Sequence, residues 1–121
     1  MFEILFYRDI NGNEPVKEYI DALNASAGKD KGARVKLEKI FMYLELLSLN
    51  GFTLGGPYIK HIEGEIWELR PLRDRIFFFG FNGGSFVLLH HFVKKTQKTP
   101  KKEIEQAKRN LKDYVERNRL K

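Results

Sequence analysis

Apolar positions along the chain follow two different periods, and the change between them divides it. Residues Phe2–Tyr7 are nearly all apolar or aromatic and predict a first strand, central in its sheet or well covered. Ile10-Asn11-Gly12-Asn13 is turn chemistry. Val16, Tyr19, Ile20 and Leu23 then fall at helical spacing, with Asn13 placed as a cap and Pro15 in the first turn. Ala25–Lys31 is small and polar, a short connection. From Gly32 to about Asn50, the residues Ala33, Leu37, Ile40, Phe41, Leu44 and Leu47 make one helical stripe, closed by Asn50-Gly51. Two helices joined in this way predict an αα-hairpin.

Beyond the loop Gly55-Gly56-Pro57 the period becomes two. Tyr58–Ile62, Glu65–Leu69, Arg75–Phe81 and Ser85–Val93 predict four strands, joined by hairpin-type turns at Glu63-Gly64 and Asn82-Gly83-Gly84 and by the link Pro71–Asp74. A last helix is expected from Pro100 to near Asn118, with Ile104, Ala107, Leu111 and Val115 inward. The fold class is α+β, in the order β-α-α-β-β-β-β-α. The meander connections imply a mainly antiparallel twisted sheet, carrying an N-terminal helix pair and a C-terminal helix.

Composition narrows the function. At 121 residues and 42% hydrophobic content the chain suits one domain spanning residues 1–121. No apolar run approaches ~18 residues, so no membrane partner is expected. The start MFEILFYRD has neither charged leader nor small-residue cleavage site, so no signal peptide is expected. The absence of cysteine excludes disulfides and thiolate catalysis and fits a cytoplasmic protein. His61, His90 and His91 do not suit a closed zinc site, since adjacent strand residues face opposite ways. No phosphate-binding loop or dinucleotide fingerprint is present, and no metal or cofactor is expected. Net charge is +6, unevenly placed. Residues 1–93 hold 11 basic and 12 acidic side chains, residues 94–121 hold 11 and 4. Such asymmetry points to a polyanion: nucleic acid, an acidic protein or an anionic surface.

Candidate chemistry lies in two segments. FVKKTQKTPKKE, residues 92–103, carries Lys94, Lys95, Lys98, Lys101 and Lys102. Its ordinary reading is a solvated lysine-rich loop. Thr99-Pro100, however, is a cap followed by proline, which sets Lys101 and Lys102 in a first helical turn. There each opposes the helix dipole by ~0.3–1 kcal/mol, a choice that a bound phosphate would explain. WELRPLRDR, residues 67–75, sets Arg70, Arg73 and Arg75 about a strand–turn–strand. These arginines are either surface residues, paired with Glu68 or Asp74, or a rigid phosphate clamp. His90 and His91 face opposite sides of one strand, each a packed histidine or a general acid–base. Ile76-Phe77-Phe78-Phe79-Gly80-Phe81 is read as core rather than a base-stacking surface.

The stretches EIWELRPLRDRIFFFGF and VLLHHFVKKTQKTPKKEIEQAKR, with the element order, resemble the RelE/HigB superfamily of type II toxins, in its phage-derived HigB-like branch. The resemblance implies a RelE-like fold and a toxin that cuts messenger RNA in the ribosomal decoding site. It also implies a cognate HigA-like helix-turn-helix antitoxin, with operator DNA contacted only through that antitoxin. Arg70 and Arg75 match the family's basic residues on the middle strands, and Lys94 and Lys95 the basic pair ending the last strand. Lys98 belongs to the lysine-rich turn. Where some relatives carry lysines just ahead of Arg70, this chain has Ile66 and Glu68. Tyr114 is a candidate for the functional aromatic near the C-terminus of some relatives.

The implied reaction is metal-independent attack of a ribose 2′-OH on the adjacent phosphorus. Arg70 and Arg75 would stabilise developing charge. Lys94 or Lys95 would move protons if nearby cations lower its pKa, with His91 as the alternative base. Arg73, Lys98, Lys101 and Lys102 would hold RNA, making binding salt-sensitive. The rival readings are a non-catalytic basic nucleic-acid-binding module and a receptor for an acidic protein.

Overall fold

A computed structural model describes residues 1–119. In chain order the elements are β1 (Glu3–Phe6), α1 (Pro15–Ser26), α2 (Lys31–Asn50), a 3-10 turn (Gly51–Leu54), β2 (Ile59–Glu63), β3 (Ile66–Leu69), β4 (Asp74–Phe81), β5 (Ser85–Val93) and α3 (Lys101–Asn118). The architecture is α+β, with three helices and one five-stranded mixed sheet in the order β1-β5-β4-β3-β2. β2 to β5 run as an antiparallel meander, whereas β1 joins β5 in parallel. A parallel partner needs a long crossover, and the two N-terminal helices provide it.

β1 is therefore an edge strand rather than a central one. Its apolar run is explained by cover on both faces. Ile4 and Phe6 pack with the helix pair, while Leu5 and Tyr7 pack against the α3 side. The same division holds across the sheet. Ile76, Phe78, Phe86 and Leu88 meet Leu37, Ile40, Leu44 and Leu47 of α2. Phe77, Phe79, Val87, Leu89 and Phe92 face α3, where Ile104, Ala107, Leu111 and Val115 pack as their spacing predicts. Residues 76–79 are wholly buried, so this phenylalanine run is core. One helical position departs from expectation. Phe41 is half exposed, because the buried stripe of α2 follows Ala33, Leu37, Ile40, Leu44 and Leu47. Phe41 sits one residue, about 100°, around from Ile40.

The helix starts also differ in detail. The cap position of α1 is Glu14, not Asn13, and Glu18 reaches back to accept from the Glu14 amide at 2.8 Å. Asn13 instead closes the preceding turn, where Asp9 Oδ1 accepts from the amides of Asn11 and Asn13. At α3 the cap position is Pro100, so Thr99 lies outside the helix and no side chain caps it. Tyr58 belongs to the turn before β2, its amide donating to the Gly55 carbonyl. No helix among the described residues is long and apolar enough to cross a membrane.

A polar knot ties the helix pair to the sheet. Asp74, fully buried at the start of β4, accepts from the Tyr19 hydroxyl of α1 at 2.7 Å. Its Oδ1 also lies 2.9 Å from His91 Nε2 of β5 and 3.5 Å from Lys36 Nζ of α2. The His91 ring stacks on Tyr19 with centroids 3.6 Å apart. Burial alone would raise the Asp74 carboxyl. The hydrogen bonds from His91 and Tyr19, with the charge of Lys36, outweigh burial and hold it below the ordinary aspartate value. Its stabilising contribution is therefore complete above the ordinary aspartate range and is lost as pH falls through the lowered folded value. Asp74→Ala should cost about 3 kcal/mol in denaturant unfolding at neutral pH, and the cost should shrink in acid as that carboxylate titrates.

Candidate functional site

The site begins where β3 ends. The Arg70 amide donates to the Tyr58 carbonyl at 2.9 Å, fixing the strand end against the turn before β2. The chain then reverses, with the Asp74 amide donating to Pro71 O at 3.0 Å and Leu72 in the left-handed region at φ 57°. The Lys94 amide donates to Arg73 O at 2.8 Å. This bond continues the β4–β5 ladder past Asp74 opposite Val93 and sets two distant basic segments side by side.

The result is an open cleft of about 470 Å³ lined by Arg70, Arg73, Arg75, Lys94, Lys95, Thr96 and Gln97. Arg75 forms its rigid part. It is only 9% exposed, and its Nη1 donates to the carbonyls of Leu72 at 2.8 Å and Asp74 at 2.9 Å. Beneath the arginines lies Glu68, 1% exposed, its Oε1 3.3 Å from Arg70 Nε and 3.6 Å from Arg75 Nε. These are ion contacts rather than aligned hydrogen bonds, since among the described residues both Nε atoms and Glu68 Oε2 lack a hydrogen-bond partner. The Lys94 ammonium is held below the ordinary lysine value, first by burial. Glu68 opposes that shift, and the charges of Arg75, Arg70 and Lys60 reinforce it.

The five cations Arg70, Arg73, Arg75, Lys94 and Lys95 thus share one cleft. Lys98, Lys101 and Lys102 do not line it. All three are exposed on the following turn and the first turn of α3. Lys102 lines a neighbouring hollow of about 410 Å³ that shares Lys95 and Thr96 with the cleft, so basic surface continues past the site. Glu103 supplies the acid expected in a helical first turn, and its Oε1 lies 2.7 Å from His90 Nε2. His91 is on the opposite face of the sheet, bound to Asp74 in the polar knot and away from the cleft. Tyr114 packs edge-on against Phe79 and Phe81, towards the other end of β4, and joins no cleft residue.

Sequence reasoning named Glu68 only as a partner that would make the arginines ordinary surface residues, and it left out Lys60, whose charge acts on Lys94. The available signal for Glu68 was alternation: Glu68 and Arg70 share a face, and an antiparallel hairpin returns Arg75 to it. Among the described residues no group of three or more His, Asp or Glu side chains is arranged to hold a metal ion.

The fold and site define an α+β protein with a cationic cleft, five cations above one buried acid, whose chemistry suits an anionic ligand carrying more than one charge. Residues 18–112 match the family described as phage derived protein Gp49-like (DUF891), and the chain belongs to that family. The match covers Glu68 and every residue that lines the cleft. The family is associated with the toxins of toxin–antitoxin systems. No curated protein matches the chain.

The depressed Lys94 ammonium should be neutral in a larger fraction at mildly alkaline pH. Amine acylation followed by peptide mass spectrometry should label Lys94 ahead of Lys101 per unit of accessible surface. Arg70→Ala should slow that labelling, because removing a neighbouring cation raises the Lys94 pKa.

Proposed function

We propose that the protein is a RelE/HigB-type toxin of a type II toxin–antitoxin pair, an endoribonuclease that cuts messenger RNA on the ribosome. The observation that carries this reading is the convergence of Arg70, Arg73, Arg75, Lys94 and Lys95 in one open cleft. Membership in the Gp49-like family supports the toxin assignment.

In the proposed reaction the ribose 2′-oxygen attacks the adjacent phosphorus while the bond to the 5′-oxygen breaks. The products are a 2′,3′-cyclic phosphate and a free 5′-hydroxyl. Negative charge grows on the non-bridging oxygens, where Arg70 and Arg75 stabilise it. A base takes the 2′-proton and an acid returns one to the leaving oxygen. Burial, reinforced by the surrounding cations, eases deprotonation of Lys94, which makes it the proton carrier of choice. Lys95 lies beside it and Arg73 contacts the flanking phosphate. His91, engaged with Asp74 on the other face, is left out of the acid–base pair. Lys98, Lys101 and Lys102 extend the phosphate track, so binding weakens with salt. The ribosome supplies the message already oriented, which suits a site with few proton carriers. The partner is a small HigA-like antitoxin that occludes the cleft or bars ribosome access by bulk. Operator DNA is contacted through that antitoxin.

Primer extension on a translated message provides the test. The wild-type protein should produce cuts only while ribosomes translate. Arg70→Ala and Lys95→Ala should each lower cutting by about a hundredfold or more and relieve growth arrest, with circular dichroism unchanged. Salt-dependent RNA binding with no cut under any condition would instead establish a non-catalytic nucleic-acid-binding module. A folded Arg70/Arg75/Lys95 triple variant that remains fully toxic would remove the site assignment.

A further inference from the structure

Glu68 is 1% exposed, and its Oε2 has no hydrogen-bond partner among the described residues, a condition it shares with Oδ2 of Asp74. What sets Glu68 apart is its place beneath two guanidinium groups. Its Oε1 meets the two arginines at their Nε atoms, at 3.3 and 3.6 Å. That side-on approach has a consequence for the guanidinium groups. Arg70 Nε is buried while the side chain as a whole keeps 29% exposure, so the exposed part is the outer end. Arg75 Nη1 is committed to the carbonyls of Leu72 and Asp74, and Nη2 takes no part in those bonds. With Nε held from below, each guanidinium presents an Nη edge to the cleft.

We infer that Glu68 is a positioning residue, whose buried carboxylate holds the Nε sides of Arg70 and Arg75 so that their outer edges meet a phosphodiester in the cleft. This rests on the reading of the cleft as an RNA-cutting site. Two guanidinium groups and Lys94 repel one another at this range, and one carboxylate beneath them sets their spacing. It does so from a place no ligand reaches, so it costs the ligand no competition for the exposed donors. Glu68 also acts on Lys94. The groups facing that ammonium are Glu68 from β3, Arg70 at its end, Arg75 from β4 and Lys60 from β2, and among them Glu68 alone favours the charged form.

Glu68→Gln keeps the shape and removes the charge, and its effects should divide. RNA affinity for a short oligonucleotide should hold or tighten, because one negative charge leaves the cleft. Cleavage turnover on the ribosome should fall by about tenfold to a hundredfold as the arginines lose their alignment. The limb of the pH–rate profile governed by Lys94 should move to lower pH, because the one charge that supports its protonated form is gone. Unchanged turnover with an unmoved profile would overturn the proposal. So would parallel loss of binding and turnover with an unmoved profile, the signature of a merely structural role. A second measurement needs no activity. The Nε–H resonances of Arg70 and Arg75, assigned through Arg70→Lys and Arg75→Lys, should be protected from solvent exchange in the wild-type protein and exchange faster in folded Glu68→Gln. Equal exchange in the two proteins, or rapid exchange in the wild type, would overturn the positioning role. If wild-type protein cuts no message, the endoribonuclease reading falls, while the protection of those two resonances still decides whether Glu68 fixes the arginines.

Discussion

The pairing of β4 with β5 is the centre from which the sheet and its two helical covers are built. The two strands run antiparallel from Asp74 opposite Val93 to Phe81 opposite Ser85, with one irregularity between Phe77 and Phe78. β3 extends the sheet from β4, and β1 extends it from β5. The helix pair covers one face of this ribbon and α3 the other. Cover on both sides demands apolar residues at consecutive positions, which is why Ile76–Phe79 does not alternate with polar residues. Burial on this scale gives the ribbon stiffness, and its end inherits that stiffness.

The charge cluster sits at that end. Arg75 opens β4 and Lys94 follows β5, so both side chains leave a backbone that the core already holds. Two carboxylates mark the same end on opposite faces. Asp74 looks into the helix pair and collects Tyr19, His91 and Lys36, whereas Glu68 looks the other way and collects Arg70 and Arg75. Adjacent strand residues facing opposite ways turn a short stretch of chain into both an anchor for the fold and a floor for the cleft. The two strand histidines follow the same rule, each meeting a carboxylate on its own side of the sheet.

Much of this was legible in the sequence. The switch from helical spacing to alternation at Gly55–Pro57 separates the helix pair from the meander, and the inward positions of α3 follow directly from Ile104, Ala107, Leu111 and Val115. The nearness of Arg70, Arg75 and Lys94 followed from antiparallel geometry. What was hidden depended on longer-range placement. The edge position of β1 depends on a parallel pairing with β5 that no local pattern announces. Asn13 and Thr99 have the chemistry of caps, but Asp9 engages the first and Pro100 displaces the second. Which histidine faced the arginines depended on one-residue parity relative to β4. That Glu68 would be buried beneath the cations depended on Arg70 and Arg75 both closing over it.

The cations of the cleft come from residues 70–75 and 94–97, two stretches that meet only after β5 has docked. During synthesis the arginines emerge first and stand in a chain whose first 93 residues are close to neutral. The concentrated positive field therefore needs the last strand in place. No fragment that stops before that strand can carry it.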